Sequence, residues 1–188
     1  STPSFLAATA ALACNFCGFF IYVLSAPVFL MTHLGLSERS FLWLFGPAMG
    51  GLMLGSWLSG RLAGKLTPMQ CILRGYGLMA VAVAFNLAVS YLLPAGIPQS
   101  VAPLFVYTTG MALAMSALTL LGLDPFATER GLAASVQTFL QSGTNGLVAG
   151  LVVPLLWGST QVLAWVMAGF ACCGLVATLL HVRSRAVA

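Results

Sequence analysis

Residues 75–123, GYGLMAVAVAFNLAVSYLLPAGIPQSVAPLFVYTTGMALAMSALTLLGL, run for 49 positions without a charged side chain. A helix that crosses a bilayer needs ~20 consecutive, mostly apolar residues. This run therefore holds two such helices and a break between them. Pro94, Pro98 and Pro103 mark the break, because proline lacks an amide hydrogen and clashes with the preceding turn. Three more charge-free runs cover 1–37, 40–60 and 131–182.

Composition agrees with that reading over the whole chain. Of 188 residues 60% are apolar and only 5% are charged, and the mean hydropathy is +1.03. Ten charges cannot coat a water-soluble domain, in which about a quarter of residues are charged. A net charge of +4 without a basic patch is no nucleic-acid footprint. A membrane β-barrel would show ~10-residue alternating segments, whereas these runs are uniformly apolar. The opening STPSFLAATAALACNF lacks the basic start of a cleaved signal peptide. It also lacks an initiator Met, so a fragment or processed form is expected.

Punctuation places six helices at about 5–30, 41–62, 69–93, 102–123, 131–156 and 160–181. The expected class is an all-α, polytopic membrane protein forming a single bundle over 1–188. With the N-terminus cytoplasmic, inner segments carry Arg61, Lys65, Arg74, Arg130, Arg183 and Arg185. The outer loops carry Arg39, and the excess of basic residues inside sets this orientation with both termini cytoplasmic. Gly46, Gly50, Gly51, Gly55, Gly60 and Gly64 form three small-xxx-small pairs, which predict a close seam on the second helix. Gly143, Gly146 and Gly150 give the fifth helix a similar composition.

No Asp, Glu, Lys or Arg falls in the middle of an expected span, so a proton carrier of the usual kind is missing from this chain. His33 falls in an outer turn and His181 at the inner end of the sixth helix, both expected to be interfacial. Cys14 and Cys17 form a CxxC without a second pair, Cys71 stands alone, and Cys172 and Cys173 are adjacent. All five are best taken as small hydrophobes, and no metal or other cofactor is expected. Ser142 and His181 resemble a serine protease pair only superficially. They belong at depths on the order of 15 Å apart at 1.5 Å per residue, so no enzyme is expected.

Gln137, Gln141 and Asn145 recur at i, i+4 and i+8, which puts three amides on one face of the fifth helix. Amides are costly against lipid. The stripe is thus either hydrogen-bonding glue between helices or the wall of a wet cavity. Asn15, Phe19, Tyr22 and Ala26 share a face of the first helix, and Tyr107, Met111 and Met115 share one on the fourth. Both faces suit helix core and pocket lining equally, methionine being adaptable to varied ligands.

Three stretches together resemble the C-terminal half of a major facilitator transporter, closest to the bicyclomycin/chloramphenicol-resistance type of drug exporter. They are Tyr22…Pro27 with Gly35-Leu36-Ser37, GSWLSGRLAGKL at 55–66, and GLAASVQTFLQSGTNG at 131–146 with Gly131, Ala133 and Gln141. The second is a degenerate copy of the family's loop motif, retaining Gly55, Gly60, Arg61, Gly64 and Lys65 without its acidic residue. The resemblance covers nearly the whole chain. It implies one half of a twelve-helix fold, built as two three-helix inverted repeats with substrate held near the midplane against the other half.

On that basis the expected function is the C-terminal bundle of a proton-coupled exporter of amphipathic small molecules, contributing to antibiotic resistance from a bacterial inner membrane. Its partners would be the lipid bilayer, an N-terminal six-helix half and the substrate, with no nucleic acid. Asn15, Phe19, Tyr22, Tyr107, Met111, Met115, Gln137, Gln141 and Asn145 would line the cavity. Arg61 and Lys65 would hold the inner loop against headgroups. The alternative is a complete six-helix structural or accessory subunit without transport.

Overall fold

Six long α-helices follow one another in the computed structural model, which describes residues 2–28, 41–92, 97–156 and 160–186. They are α1 (Thr2–Val28), α2 (Phe41–Leu62), α3 (Pro68–Leu92), α4 (Ile97–Leu123), α5 (Arg130–Leu147) and α6 (Thr160–Ala186). No strand occurs among the described residues, only an isolated bridge between Ala63 and Leu66. Five helices are long and apolar enough to cross a membrane: α1, α3, α4, α6, and α5 together with its continuation to Leu156. The class is all-α as expected. His33, Gly35, Leu36, Ser37, Arg39, Pro94 and the expected break at Trp157-Gly158-Ser159 lie outside the described residues.

Helix ends depart from expectation where proline was given too much or too little weight. α4 begins at Ile97 rather than 102. Pro98 sits in its first turn, where a missing amide hydrogen costs nothing. Pro103 is buried inside the helix, as neighbouring spans permit in membrane bundles. On α5 the opposite holds: the α-helix stops at Leu147, a π turn covers Val148–Val152 and a 3-10 turn covers Val153–Leu156. Pro154 cannot donate to the carbonyl of Gly150 and crowds it, which widens the turn before it. α6 runs five residues beyond the expected 181, to Ala186.

The α2–α3 connection is tightly made. Gly64 has φ +79°, the left-handed conformation that a Cβ disfavours. The amides of Lys65 and Leu66 donate to the Leu62 carbonyl at 3.0 and 3.1 Å. Thr67 then caps α3: its amide donates to Gln70 Oε1 at 3.1 Å, and the Gln70 amide donates to Thr67 Oγ1 at 3.3 Å. This is a reciprocal capping box with Pro68 at the first helical position.

α4 lies along both α2 and α3, and α1 lies along both α6 and α5; α1 also meets α4, and α3 meets α6. This set of neighbours maps onto itself when α1, α2 and α3 are exchanged with α4, α5 and α6. The seams on α4 are close. A Cβ on Gly51 would strike the Phe105 carbonyl and the Thr108 hydroxyl, and one on Gly55 would strike the Thr109 carbonyl. Gly75 and Gly110 cross backbone to backbone: a Cβ on Gly75 would lie 2.6 Å from the Gly110 carbonyl oxygen. The second-helix seam is therefore made by Gly51 and Gly55, while Gly46 and Gly60 face open space. Gly143, Gly146 and Gly150 also face open space, so α5 makes no glycine seam among the described residues. Leu12, Ile21, Ile72, Met79, Tyr107, Met111, Leu118, Leu163 and Met167 fill the centre.

Candidate functional site

A directional chain of hydrogen bonds ties four helices together at mid-bundle. The Tyr107 hydroxyl of α4 donates to the Asn15 carbonyl of α1 at 3.2 Å. Asn15 Nδ2 donates to the Tyr76 hydroxyl of α3 at 2.9 Å. Tyr76 bonds Thr178 Oγ1 of α6 at 2.9 Å, and Thr178 donates to the Gly174 carbonyl at 2.9 Å. With Tyr76 accepting from Asn15 and Thr178 donating to Gly174, Tyr76 is the donor to Thr178. Asn15 is wholly buried, and its Oδ1 has no hydrogen-bond partner. It is packed against Gly174, where a Cβ would strike it. Closer to the other end, Asn86 Nδ2 donates to the Tyr22 hydroxyl at 2.6 Å.

The nine expected cavity residues divide by place. Asn15, Tyr22 and Tyr107 are buried and bonded to other helices; Phe19 and Met111 are buried. Phe19 packs edge-on to Phe16, ring centroids 6.0 Å apart. Met115 is half-buried against the core. On α5, Gln137 is buried beside Gly122 of α4 and its Nε2 has no partner. Asn145 accepts from the Cys17 thiol of α1 at 3.1 Å, and Gln141 between them is half-buried. The amide stripe thus faces the α1 side of the bundle, with Gln141 at its edge.

The rest of α5 explains why that edge is notable. Leu132, Val136, Phe139 and Leu147 form an exposed apolar face. Gly131, Ser135, Thr138, Ser142, Gly146 and Gly150 form a second exposed face, small and polar. At 100° per residue Gln141 and Asn145 lie between this face and the buried one. α2 also carries an exposed mixed face, with Gly46, Met49, Met53 and Gly60. α2 and α5, which both present small or adaptable side chains outward, are equivalent under the exchange described above.

The loop-motif residues sit as follows. Gly55 is pinned against α4, Gly64 has the left-handed φ, and Gly60 has room around it. The Arg61 guanidinium lies 4.6 Å from the centre of the Trp57 ring, a cation–π contact. Lys65 is exposed.

Other polar groups take places that the sequence pattern does not specify. Tyr76, Asn86 and Thr178 were visible as mid-span polar residues, but no periodic pattern tied them to Asn15 or Tyr22. His181 is 1% exposed, with Nδ1 3.0 Å from Ser4 Oγ and 2.8 Å from the Ser4 carbonyl oxygen, while Nε2 has no partner. It joins the two ends of the chain, whereas Ser142 is exposed on α5. Cys17 and Cys71 are buried, as expected of small hydrophobes, but Cys172 and Cys173 are exposed on α6. Residues on the outer face of a spanning helix need only be apolar, so burial does not follow from hydrophobicity there. No group of three His, Cys, Asp or Glu suited to a metal occurs among the described residues. No protein-family model matches the chain, and no curated protein matches it either.

Proposed function

We propose that this chain is a multi-pass membrane bundle forming the C-terminal half of a proton-coupled exporter of amphipathic small molecules, of the major facilitator kind. The observation that carries this reading is the uncovered small, polar face of α5 beside Gln141 and Asn145. Hydroxyls and glycines give lipid little to pack against, and membrane helices use such residues to approach another helix closely. An absent six-helix half would cover that face and enclose Gln141 in a cavity between the two. The exchange of α1–α3 with α4–α6 supports the same reading. Helices three apart in a chain of alternating spans run in opposite directions, as inverted repeats require.

In this reading the bundle sits in a bacterial inner membrane with both termini cytoplasmic, and the proton carrier belongs to the other half. Gln141, Asn145 and Met115 meet substrate through hydrogen bonds and adaptable apolar contact. Asn15, Tyr22 and Tyr107 set the shape of the wall behind them. Their internal bonding also favours a second reading, a structural or accessory six-helix subunit whose polar groups only hold helices together.

Photo-crosslinking in cells separates the two. A photoreactive side chain at 142 or 146 should capture a polypeptide with further spans, and one at 139 or 147 should capture lipid. Lipid alone at all four positions would overturn the half-transporter reading. Capture of a protein without dye efflux that a protonophore abolishes would favour the accessory subunit.

A further inference from the structure

On the side of the bundle away from α5, α3 and α6 meet along an apolar groove of about 260 Å³. Small side chains open it: Ala80 and Ala84 on α3, and Ala168 and Cys172 on α6, between Leu87 at one end and Tyr76 at the other. Tyr76 to Leu87 is 11 residues, or ~16 Å at 1.5 Å per residue. That is about half of a ~30 Å hydrocarbon core, the depth of one leaflet. The groove is open to the surface along this length, and the alanines and Cys172 make it shallow. Apolar carbons pack ~3.5–4.0 Å apart, so one hydrocarbon chain fits.

The end of the groove beyond Leu87 is closed by polar contacts on the same two helices. Tyr91 follows Leu87 by four residues and Trp165 precedes Ala168 by three, so both continue the groove-lining stripes. Trp165 Nε1 donates to the Tyr91 hydroxyl oxygen at 3.0 Å, and both side chains are more than half exposed. Beside them Gln161 Nε2 reaches the Ser90 carbonyl at 3.4 Å. Because Tyr91 accepts the indole hydrogen, its own hydroxyl hydrogen is left to donate to another acceptor. Tyr and Trp placed at a helix end favour the level where acyl chains meet headgroups, and the acceptors there are ester carbonyls. No charged residue lies in 75–92 or 160–182, so this site matches the uncharged ester region of a lipid and offers nothing to a headgroup charge.

We propose that the α3/α6 groove binds one acyl chain of a membrane glycerolipid, with Tyr91 and Trp165 at its ester level and no selection for headgroup charge. This rests on the proposed membrane placement and is independent of transport.

Replacing Trp43, Trp57 and Trp157 by Phe leaves Trp165 as the single indole. The purified chain in a non-ionic detergent is titrated with phosphatidylcholine brominated along its acyl chains, since bromine quenches indole on contact. Quenching should saturate, and brominated phosphatidylglycerol should match it within about twofold. Ala84→Leu and Ala168→Leu, which fill the groove, should each weaken the lipid at least fivefold. Tyr91→Phe keeps the fold and should weaken it about threefold, the worth of one modest membrane hydrogen bond. Quenching that rises without saturation, or is unchanged in both Leu variants, would overturn the proposal, as would a tenfold preference for the anionic lipid. If Ala84→Leu instead dissociates a dimer and leaves quenching unchanged, a second copy fills the groove and the proposal falls. Recovery of the chain in buffer without detergent would overturn the membrane placement as well; with the chain retained in bilayers, the other failures count against the lipid site alone.

Discussion

Gly75 and Gly77 are two residues apart on α3, yet alanine should act on them with opposite sign. At Gly77 a Cβ meets nothing within 4 Å, so alanine brings only its better helix propensity, worth up to ~1 kcal/mol. At Gly75 a Cβ would lie 2.6 Å from the Gly110 carbonyl oxygen, 2.7 Å from Ala114 Cβ and 2.9 Å from the Ala114 amide nitrogen. Ordinary carbon contacts need ~3.5–4.0 Å, so α3 and α4 must separate by about 1 Å, forfeiting up to half of the dispersion across the crossing. With about 30 heavy-atom pairs at ~0.15 kcal/mol each, that loss is ~2 kcal/mol. Subtracting the propensity gain leaves Gly75→Ala destabilising by about 1 kcal/mol, and some 2 kcal/mol below Gly77→Ala. Reversible unfolding in mixed detergent micelles, followed by loss of helical circular dichroism, measures both. Equal stabilities, or a Gly75→Ala more stable than the parent, would refute the backbone-to-backbone crossing.

The buried hydroxyl chain makes a second prediction. Tyr76→Phe strands Asn15 and should cost ~1–3 kcal/mol, while adding Thr178→Val should cost less than its single effect implies, with coupling of at least ~0.5 kcal/mol in a double-mutant cycle. Gly64→Ala should destabilise the α2–α3 turn by ~1–2 kcal/mol, since its φ of +79° is left-handed, whereas Gly60→Ala should not; the same unfolding assay reads both. In a cysteine-free background, cysteine at 141 should react with a small hydrophilic thiol reagent and cysteine at 137 should not, because Gln137 is buried and Gln141 is at the edge. Equal reactivity at both would mean that the stripe faces a single environment.

How much of this was legible depends on what each residue needed to reveal itself. The ends at Leu62 and Leu123 were found because charge and proline stop an apolar run locally, whatever the tertiary context. Pro103 and Pro154 show the limit of that logic. One is absorbed in α4 and the other unwinds α5, and which occurs depends on the neighbouring spans that satisfy freed backbone groups. The amide stripe was legible because three residues repeat on one helix. Its relation to Cys17 and Gly122 was not, since nothing on α5 encodes which helix it meets. Tyr76, Asn86 and Thr178 each had one polar group in an apolar span, a signal without a direction. The glycine seam was expected on α2 alone, and the closest crossing, Gly75 with Gly110, lies in two helices where single glycines gave no repeat.

In the proposed membrane placement, the three faces of α5 bear on how the chain enters the bilayer in the first place. This helix is the least apolar of the five candidate spans. Three amides weigh on its partition into hydrocarbon, and small polar residues on another side add little in return. A segment of this kind is a marginal passenger when it leaves the translocation machinery alone. Its partners are already waiting by then, because α1 and α4, whose Cys17 and Gly122 meet its amides, are synthesised earlier. Chain order would therefore set assembly order: a helix carrying hydrogen-bonding groups can be delivered late, against helices that have already prepared its place.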